Sequence, residues 1–280
     1  MTAETVLYQP KWRIIDQSSF GPTFDAEQSF GMDDMLCASV GSGESVPVAR
    51  SWVHHNTVVL GIQDSRLPYV QGGIDYLEQQ GYRVIVRNSG GLAVVLDEGI
   101  FNLSLIFPEK QKIDIDRGYE AMAAFVKRML EPYEVKVGIG EVEGSYCPGR
   151  FDLSIHGKKF AGISQRRIRS GVAVQIYLCI NGSGAERARM IHEFYRRSFA
   201  AWETKSTYPD IRPETMASLS ELLDEPLDVK ATMSLCLMAL KHYGSEVMNK
   251  PLTPYEADLF YTYYKRVLDR SQKALGLKAE

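Results

Sequence analysis

Tyr146-Cys147-Pro148-Gly149-Arg150-Phe151-Asp152-Leu153-Ser154-Ile155-His156-Gly157-Lys158-Lys159-Phe160-Ala161-Gly162 sets a thiol between a tyrosine and a Pro-Gly turn. It then runs a short alternating strand into a tight turn that ends in two lysines. Turn, strand and turn are local enough to bring Cys147 and Lys159 to one pocket. A thiol beside an amine is a minimal kit for moving acyl groups, because thiolate is the better nucleophile and an ammonium favours it. Read from these residues alone, Cys147 stays open between an inert loop cysteine and a nucleophile. Lys159 stays open between a hairpin lysine in water and a catalytic partner, and His156 sits in the turn between them.

The other three cysteines stand in different company. Cys179 lies in the apolar strand-like run Val174–Ile180, Cys236 in the helix-like stretch Leu235–Leu240, and Cys37 behind Met35-Leu36 on a predicted helix. Buried free cysteine is a common small hydrophobe, so these three read as core thiols. No C-x-x-C pair occurs, and a reducing compartment would leave all four cysteines free.

Upstream of the cysteine, Arg117 to Pro132 carries Tyr119, Met122, Phe125 and Met129 at helical spacing. Ala93–Leu96 and Ile100–Phe107 are apolar strand runs, and Ala49–Val53, Thr57–Leu60 and Tyr82–Arg87 are further strands. Helices are expected over Asp25–Ala38 and Ile74–Gln80. Downstream, Ala185–Trp202, Pro213–Leu223, Asp228–Tyr243 and Pro254–Leu275 all read as helices. The expected outline is α+β: a mixed sheet core flanked by helices, with a helical C-terminal end. Residues 1–24 form an irregular or strand-like lead-in, residues 25–250 one catalytic domain, and residues 251–280 a C-terminal helix packed on the same domain.

The bulk properties exclude several classes. A chain of 280 residues with 45% hydrophobic and 24% charged residues can bury a sizeable core. A net charge of −3 gives no electrostatic case for nucleic acid. The sequence shows no apolar run of membrane-spanning length and no secretory signal, so a cytoplasmic protein is expected, with no membrane partner. Gly138-Ile139-Gly140 lacks the third glycine of a dinucleotide fingerprint, and no phosphate-binding P-loop occurs. The histidines show no metal spacing, and His54-His55 point to opposite faces of a strand. Arg87-Asn88-Ser89-Gly90-Gly91-Leu92-Ala93-Val94 leaves one strand through paired glycines into another. Its glycines would let backbone approach a ligand, and Arg87 and Ser89 would orient a polar group there. Arg166-Arg167-Ile168-Arg169 reads as a solvated strand end or as a docking patch for an acidic partner.

In this order the pieces resemble the lipoate ligase and octanoyltransferase family, which shares its catalytic fold with biotin protein ligases. Thr57-Val58-Val59-Leu60-Gly61 is similar to the family's first strand-and-glycine motif. Arg87 to Asp97 is similar to its R-R-[ST]-G-G-G-x-V-x-H-D signature, and Asp152 to Gly162 to its [ND]-x-x-x-x-x-G-K-K-[IV]-x-G segment. The resemblance covers roughly residues 25–250. Asn88, Leu92 and Leu96 depart from the second Arg, the third Gly and the His of the signature. Phe151 replaces a usual Asn, and Asp64 stands where a polar residue is expected after the first motif. These departures weaken the ATP-dependent ligase activity found in part of the family, and a cysteine ahead of the lysine motif fits the cysteine-dependent octanoyltransferases of Gram-positive bacteria. The Asn-Ser-Gly-Gly-Leu form is most similar to those that take octanoate from the glycine-cleavage H protein and pass it to lipoyl domains of 2-oxoacid dehydrogenases.

The resemblance implies that Cys147 forms an acyl thioester and that Lys159 polarises the acyl carbonyl and shuttles protons. Arg87, Ser89, Gly90, Gly91 and Gly162 would shape the acyl pocket and Leu92 and Leu96 would line it. Amide would be exchanged for amide, so no ATP, cofactor or metal is implied. The alternatives are transfer from octanoyl-acyl carrier protein to the H protein, ATP-dependent lipoate ligation, and non-catalytic binding of acylated carrier domains.

Overall fold

A computed structural model describes residues 3–111, 113–199 and 210–276. The elements run β1 (Gln9–Gln17), α1 (Ala26–Ser42), β2 (Val48–Trp52), β3 (Thr57–Leu60), α2 (Val70–Gln79), β4 (Arg83–Val86), β5 (Val94–Leu96), β6 (Ile100–Pro108), α3 (Ile115–Met129) and β7 (Gly138–Ile139). There follow β8 (Leu153–Ile155), β9 (Lys158–Ile168), β10 (Gly171–Cys179), α4 (Gly184–Ser198), α5 (Leu219–Leu223), α6 (Val229–Tyr243), β11 (Gly244–Asn249) and α7 (Pro254–Ala274). They build a mixed eight-stranded sheet, β11-β1-β2-β6-β10-β9-β8-β7, and a three-stranded sheet, β4-β3-β5. This is the α+β architecture expected from the sequence.

The centre of the large sheet is buried on both faces. Phe101, Leu103, Leu105 and Phe107 of β6 and Val172, Val174, Ile176 and Leu178 of β10 join one apolar cluster with α3 and α6. The alternate residues face the other way, toward α1, because successive side chains on a strand point to opposite faces. Strand register sets them in two rows. Trp52, Asn102, Tyr177 and Gly162 form one row, and Arg50, Ser104, Gln175 and Ser164 the next. The second row is tied to α1 by Asp33, which accepts from Arg50 Nη1 at 2.7 Å and from Ser104 Oγ and Gln175 Nε2 at 2.6 Å each.

Helix starts follow the caps written in the sequence: Asp114 accepts from the Arg117 N–H, Ser183 from that of Glu186 and Asp228 from that of Ala231. Two expectations are corrected. Residues 213–223 are not one helix: a 3-10 turn spans Pro213–Thr215, Met216 is extended, and only Leu219–Leu223 is helical. The backbone there is used otherwise, since the Ala217 N–H donates to the Lys159 carbonyl at 3.0 Å and Ser218 and Glu221 form a capping box. Residues 244–249, for which no element was expected, form the edge strand β11, whose partly exposed residues lack the apolar alternation that marks a strand. The expected helix to Trp202 is seen through Ser198, and residues 200–202 lie outside the described ones. In the lead-in, β1 pairs with β2 and β11 and buries Trp12 completely.

Candidate active site

The Cys147 turn is built by the hairpin that follows it. Ile155-His156-Gly157-Lys158 joins β8 to β9 with φ +51° at His156 and +75° at Gly157, the twist-matched pattern of a two-residue hairpin loop. That turn leaves His156 exposed at its tip and points Lys159 inward, where it is 0% exposed. Lys159 Nζ donates to the Tyr146 carbonyl at 2.9 Å and the Cys147 carbonyl at 2.8 Å, and sits 3.0 Å from Asp152 Oδ1. Ser145 Oγ lies at 3.4 Å. An ammonium has three protons, so these acceptors use its whole capacity. Burial pushes the Asp152 carboxyl above its ordinary range, against the pull of Lys159 and of the Gly149 N–H.

Cys147 itself has φ +45°, in the left-handed region that non-glycine residues seldom enter. The following Pro148 restricts it further toward extended backbone. A conformation of this kind persists only when its surroundings hold it, and Lys159 grips the carbonyl on each side of the Cys147 N–Cα bond.

The other wall comes from the loop between β4 and β5. Cys147 Sγ accepts from the Leu92 N–H at 3.2 Å and lies 3.5 Å from Arg87 Nη2, which also donates to the Leu92 carbonyl. Gly91 makes this approach possible: its φ is +111°, and a Cβ there would fall 2.2 Å from Arg87 Nη2 and 3.2 Å from Cys147 Sγ. Buried Asp64 anchors the loop, accepting from the Gly61 N–H and from the Tyr195 hydroxyl, each at 2.8 Å. That hydroxyl in turn accepts from the Ala93 N–H at 3.4 Å. Asn88 donates to Asp34, which Arg166 also grips at 2.7 Å.

Between the two walls lies a cavity of about 280 Å³. Of the residues singled out from the sequence, Cys147, Arg87, Ser89, Gly90, Gly91, Leu96 and Gly162 line it. Lys159 does not: it lies beneath the Cys147 turn. Leu92 reaches the sulfur by its main chain, and its side chain does not line the cavity. Sequence reasoning missed Tyr177, Asn102, Gln175, Trp52 and Phe30, all lining residues. One signal was available. Asn102 and Ser104 interrupt the apolar run of β6 at alternate positions, as Gln175 and Tyr177 interrupt that of β10. At the rim, Tyr119 stacks on Phe151 with ring centroids 4.9 Å apart.

The remaining sequence features fall into place. Cys37, Cys179 and Cys236 are buried, and burial pushes the thiols of Cys179 and Cys236 up to about 12. Within the basic run, Arg166 pairs with Asp34 and Arg167 donates to the Ile113 carbonyl. Those two guanidinium groups are used internally, which removes them from a docking patch. Among the described residues no cluster of metal-ligating side chains forms, and no helix is long and apolar enough to cross a membrane.

Comparison with known proteins agrees with this layout. A relative from Anoxybacillus flavithermus, named octanoyl-[GcvH]:protein N-octanoyltransferase, is 62% identical over 271 residues, covering 96% of this chain and 98% of its own. A relative from Listeria monocytogenes, named lipoyl-[GcvH]:protein N-lipoyltransferase, is 49% identical and covers 97% of this chain and 98% of its own. The crystal structure of lipoate-protein ligase A bound with ATP shares the fold, with a TM-score of 0.71 at 15% identity, over 96% of this chain and 100% of that one. The model of the lipoyl protein ligase A/B catalytic domain matches residues 25–241, and the chain therefore belongs to that family.

Proposed function

We propose that this chain is a cysteine-dependent octanoyltransferase. It takes an octanoyl group from a lysine amide of the glycine-cleavage H protein, holds it as a thioester on Cys147, and passes it to a lysine of a lipoyl domain of a 2-oxoacid dehydrogenase in the cytoplasm. The observation that carries this reading is the placement of Cys147. It is the one cysteine that lines the cavity, in a left-handed turn with its sulfur against the Leu92 N–H and the Arg87 guanidinium. Those donors suit a sulfur that gains and loses negative charge during transfer. The name of the Anoxybacillus relative supports the donor and the acyl group.

The chain's residues divide the work as follows. Val94, Leu96 and Ile176 offer apolar surface to the acyl chain, and Trp52 extends that surface toward β2. Lys159 acts through the Cys147 turn rather than on the acyl carbonyl, because its protons are directed at Tyr146, Cys147 and Asp152. Exchange of one lysine amide for another is near balance and calls for no ATP. Asn88, Leu92 and Leu96, at positions where adenylating relatives carry other residues, fit that economy.

Intact-protein mass spectrometry tests the reading, after mixing the chain without ATP with octanoyl-H protein. An octanoyl adduct is expected, absent in Cys147→Ser, that moves to an added lipoyl domain. An adduct that forms only from octanoyl-acyl carrier protein would replace the donor. Activity that needs ATP and survives Cys147→Ser would replace the mechanism. The Listeria relative's name favours a second reading in which the group carried is lipoyl. Equal adduct formation from lipoyl-H protein would support it.

A further inference from the structure

We infer that the Tyr177 hydroxyl is a catalytic residue, donating a hydrogen bond to the acyl carbonyl oxygen as negative charge develops there; the inference rests on the acyl-transfer reading above. Tyr177 lies on β10, in the interior of the large sheet, and lines the cavity together with Cys147. The residue is 7% exposed, and its hydroxyl oxygen is buried without a hydrogen-bond partner. Buried hydroxyls nearly always find partners, because an unmade bond in a dry site is not compensated by water. This one faces the space in which a ligand would sit.

The ring is held in place on two sides. Gly162 is its cross-strand neighbour, and a Cβ on Gly162 would fall 2.8 Å from Tyr177 Cε1, so the ring lies across the bare glycine. Tyr146, next to Cys147, stacks on the other side with centroids 6.1 Å apart and planes 24° apart. The hydroxyls of Tyr146 and Tyr177 approach each other without reaching hydrogen-bond geometry. Two further polar atoms without partners, Arg87 Nε and Ser89 Oγ, belong to residues lining the same cavity. An octanoyl chain carries one oxygen, on the carbon that the sulfur attacks. Donors left free in an acyl pocket therefore converge on that atom.

The chemistry uses such a donor twice. In the first half, the sulfur of Cys147 bonds to the amide carbon, the C=O pair moves to oxygen, and the C–N bond then breaks. The proton lost by the thiol ends on the departing lysine amine. In the second half, the acceptor lysine nitrogen bonds to the same carbon, the C–S bond breaks, and a proton from that nitrogen returns to the sulfur. Both halves pass through an oxyanion at the same oxygen, where a preorganised donor is most effective. Burial holds the Tyr177 phenol well above its ordinary range, so it donates the hydrogen bond and keeps its proton.

Tyr177→Phe tests the inference, since it removes one oxygen and keeps the ring. Acylation of Cys147 by octanoyl-H protein, and transfer from pre-acylated enzyme to a lipoyl domain, are each expected to slow by about 100-fold or more. The melting temperature should not fall, and iodoacetamide should alkylate Cys147 at the wild-type rate. Wild-type rates in both halves would overturn the inference. So would a lowered melting temperature, which would mean that the hydroxyl has a structural partner in the free protein. If the wild-type chain forms no acyl adduct at all, the acyl-transfer reading fails and this inference falls with it. If the wild type transfers and Tyr177→Phe does so equally well, only the tyrosine is dismissed.

Discussion

The two faces of β6 and β10 are buried to a similar depth and built on opposite plans. Toward α3 and α6 they present Phe101, Leu103, Leu105 and Phe107 with Val172, Val174, Ile176 and Leu178, in one apolar cluster. Toward α1 they present Asn102, Ser104, Gln175 and Tyr177, with the Arg50–Asp33 ion pair behind them and a cavity beside them. Apolar packing tolerates no void, since interiors are close-packed and each lost contact is felt. A ligand site needs a void that survives when empty. The polar face supplies one by holding its walls with directed bonds instead of by filling the space. The same strands thus carry stability on one side and the site on the other.

That division can be broken from either face. The largest effect is expected at Asp33, whose carboxylate serves Arg50, Ser104 and Gln175 at once. Both partners of its ion pair are buried, and Asp33→Ala leaves the Arg50 charge uncompensated, at a cost of about 3–5 kcal/mol. Leu103→Ala, on the apolar face and 0% exposed, should cost about 2–5 kcal/mol through the cavity it opens. Urea unfolding measures both, and acyl transfer per folded molecule separates them. Leu103→Ala should leave transfer intact, whereas Asp33→Ala should lower it. Equal loss of transfer in both would mean that the two faces are not independent.

A smaller effect sharpens the comparison through pH. His54 is buried beside α1, with its ring nitrogens on the Phe24 carbonyl and Ser29 Oγ, and burial lowers its pKa to about 3. The unfolded histidine takes up its proton below about pH 6.5, while the folded one does not until about pH 3. Its contribution is therefore complete above pH 6.5 and is lost as pH falls toward 3, by up to roughly 1.4 kcal/mol per pH unit. Between pH 7 and pH 5 the wild type should lose about 2 kcal/mol more than His54→Gln. Parallel pH curves for the two proteins would remove His54 from the account. The smallest effect concerns the cavity itself: each methylene removed from the octanoyl donor should weaken binding by about 0.8 kcal/mol. Butyryl donors that match octanoyl ones would show that the cavity does not take the chain.

Much of this was legible in the chain. The three motifs stand in order, the core cysteines are distinguished from Cys147 by their apolar neighbours, and helix caps such as Asp114 and Ser183 announce their helices. Seven of the nine residues singled out for the site line one cavity. The exceptions are instructive. Local spacing brings Lys159 to the Cys147 turn but does not say which of its ends meets the pocket, and the inward hairpin turn directs the ammonium to backbone carbonyls beneath it. Leu92 reads as a pocket side chain, yet its peptide N–H is what reaches the sulfur, because the loop's path is set by Gly91 and Arg87.

The sequence by itself determined which cysteine stands in turn chemistry, where glycines must lie, and which face of each strand would be apolar, because those follow from neighbours a few positions apart. Only the tertiary structure decided that Tyr177 lies across Gly162, that Asn102 and Trp52 share its row, and that Asp33 on α1 stabilises the second row. Those residues lie far apart in the chain and meet through strand register, which hydrogen bonding across the assembled sheet sets and local periodicity does not encode.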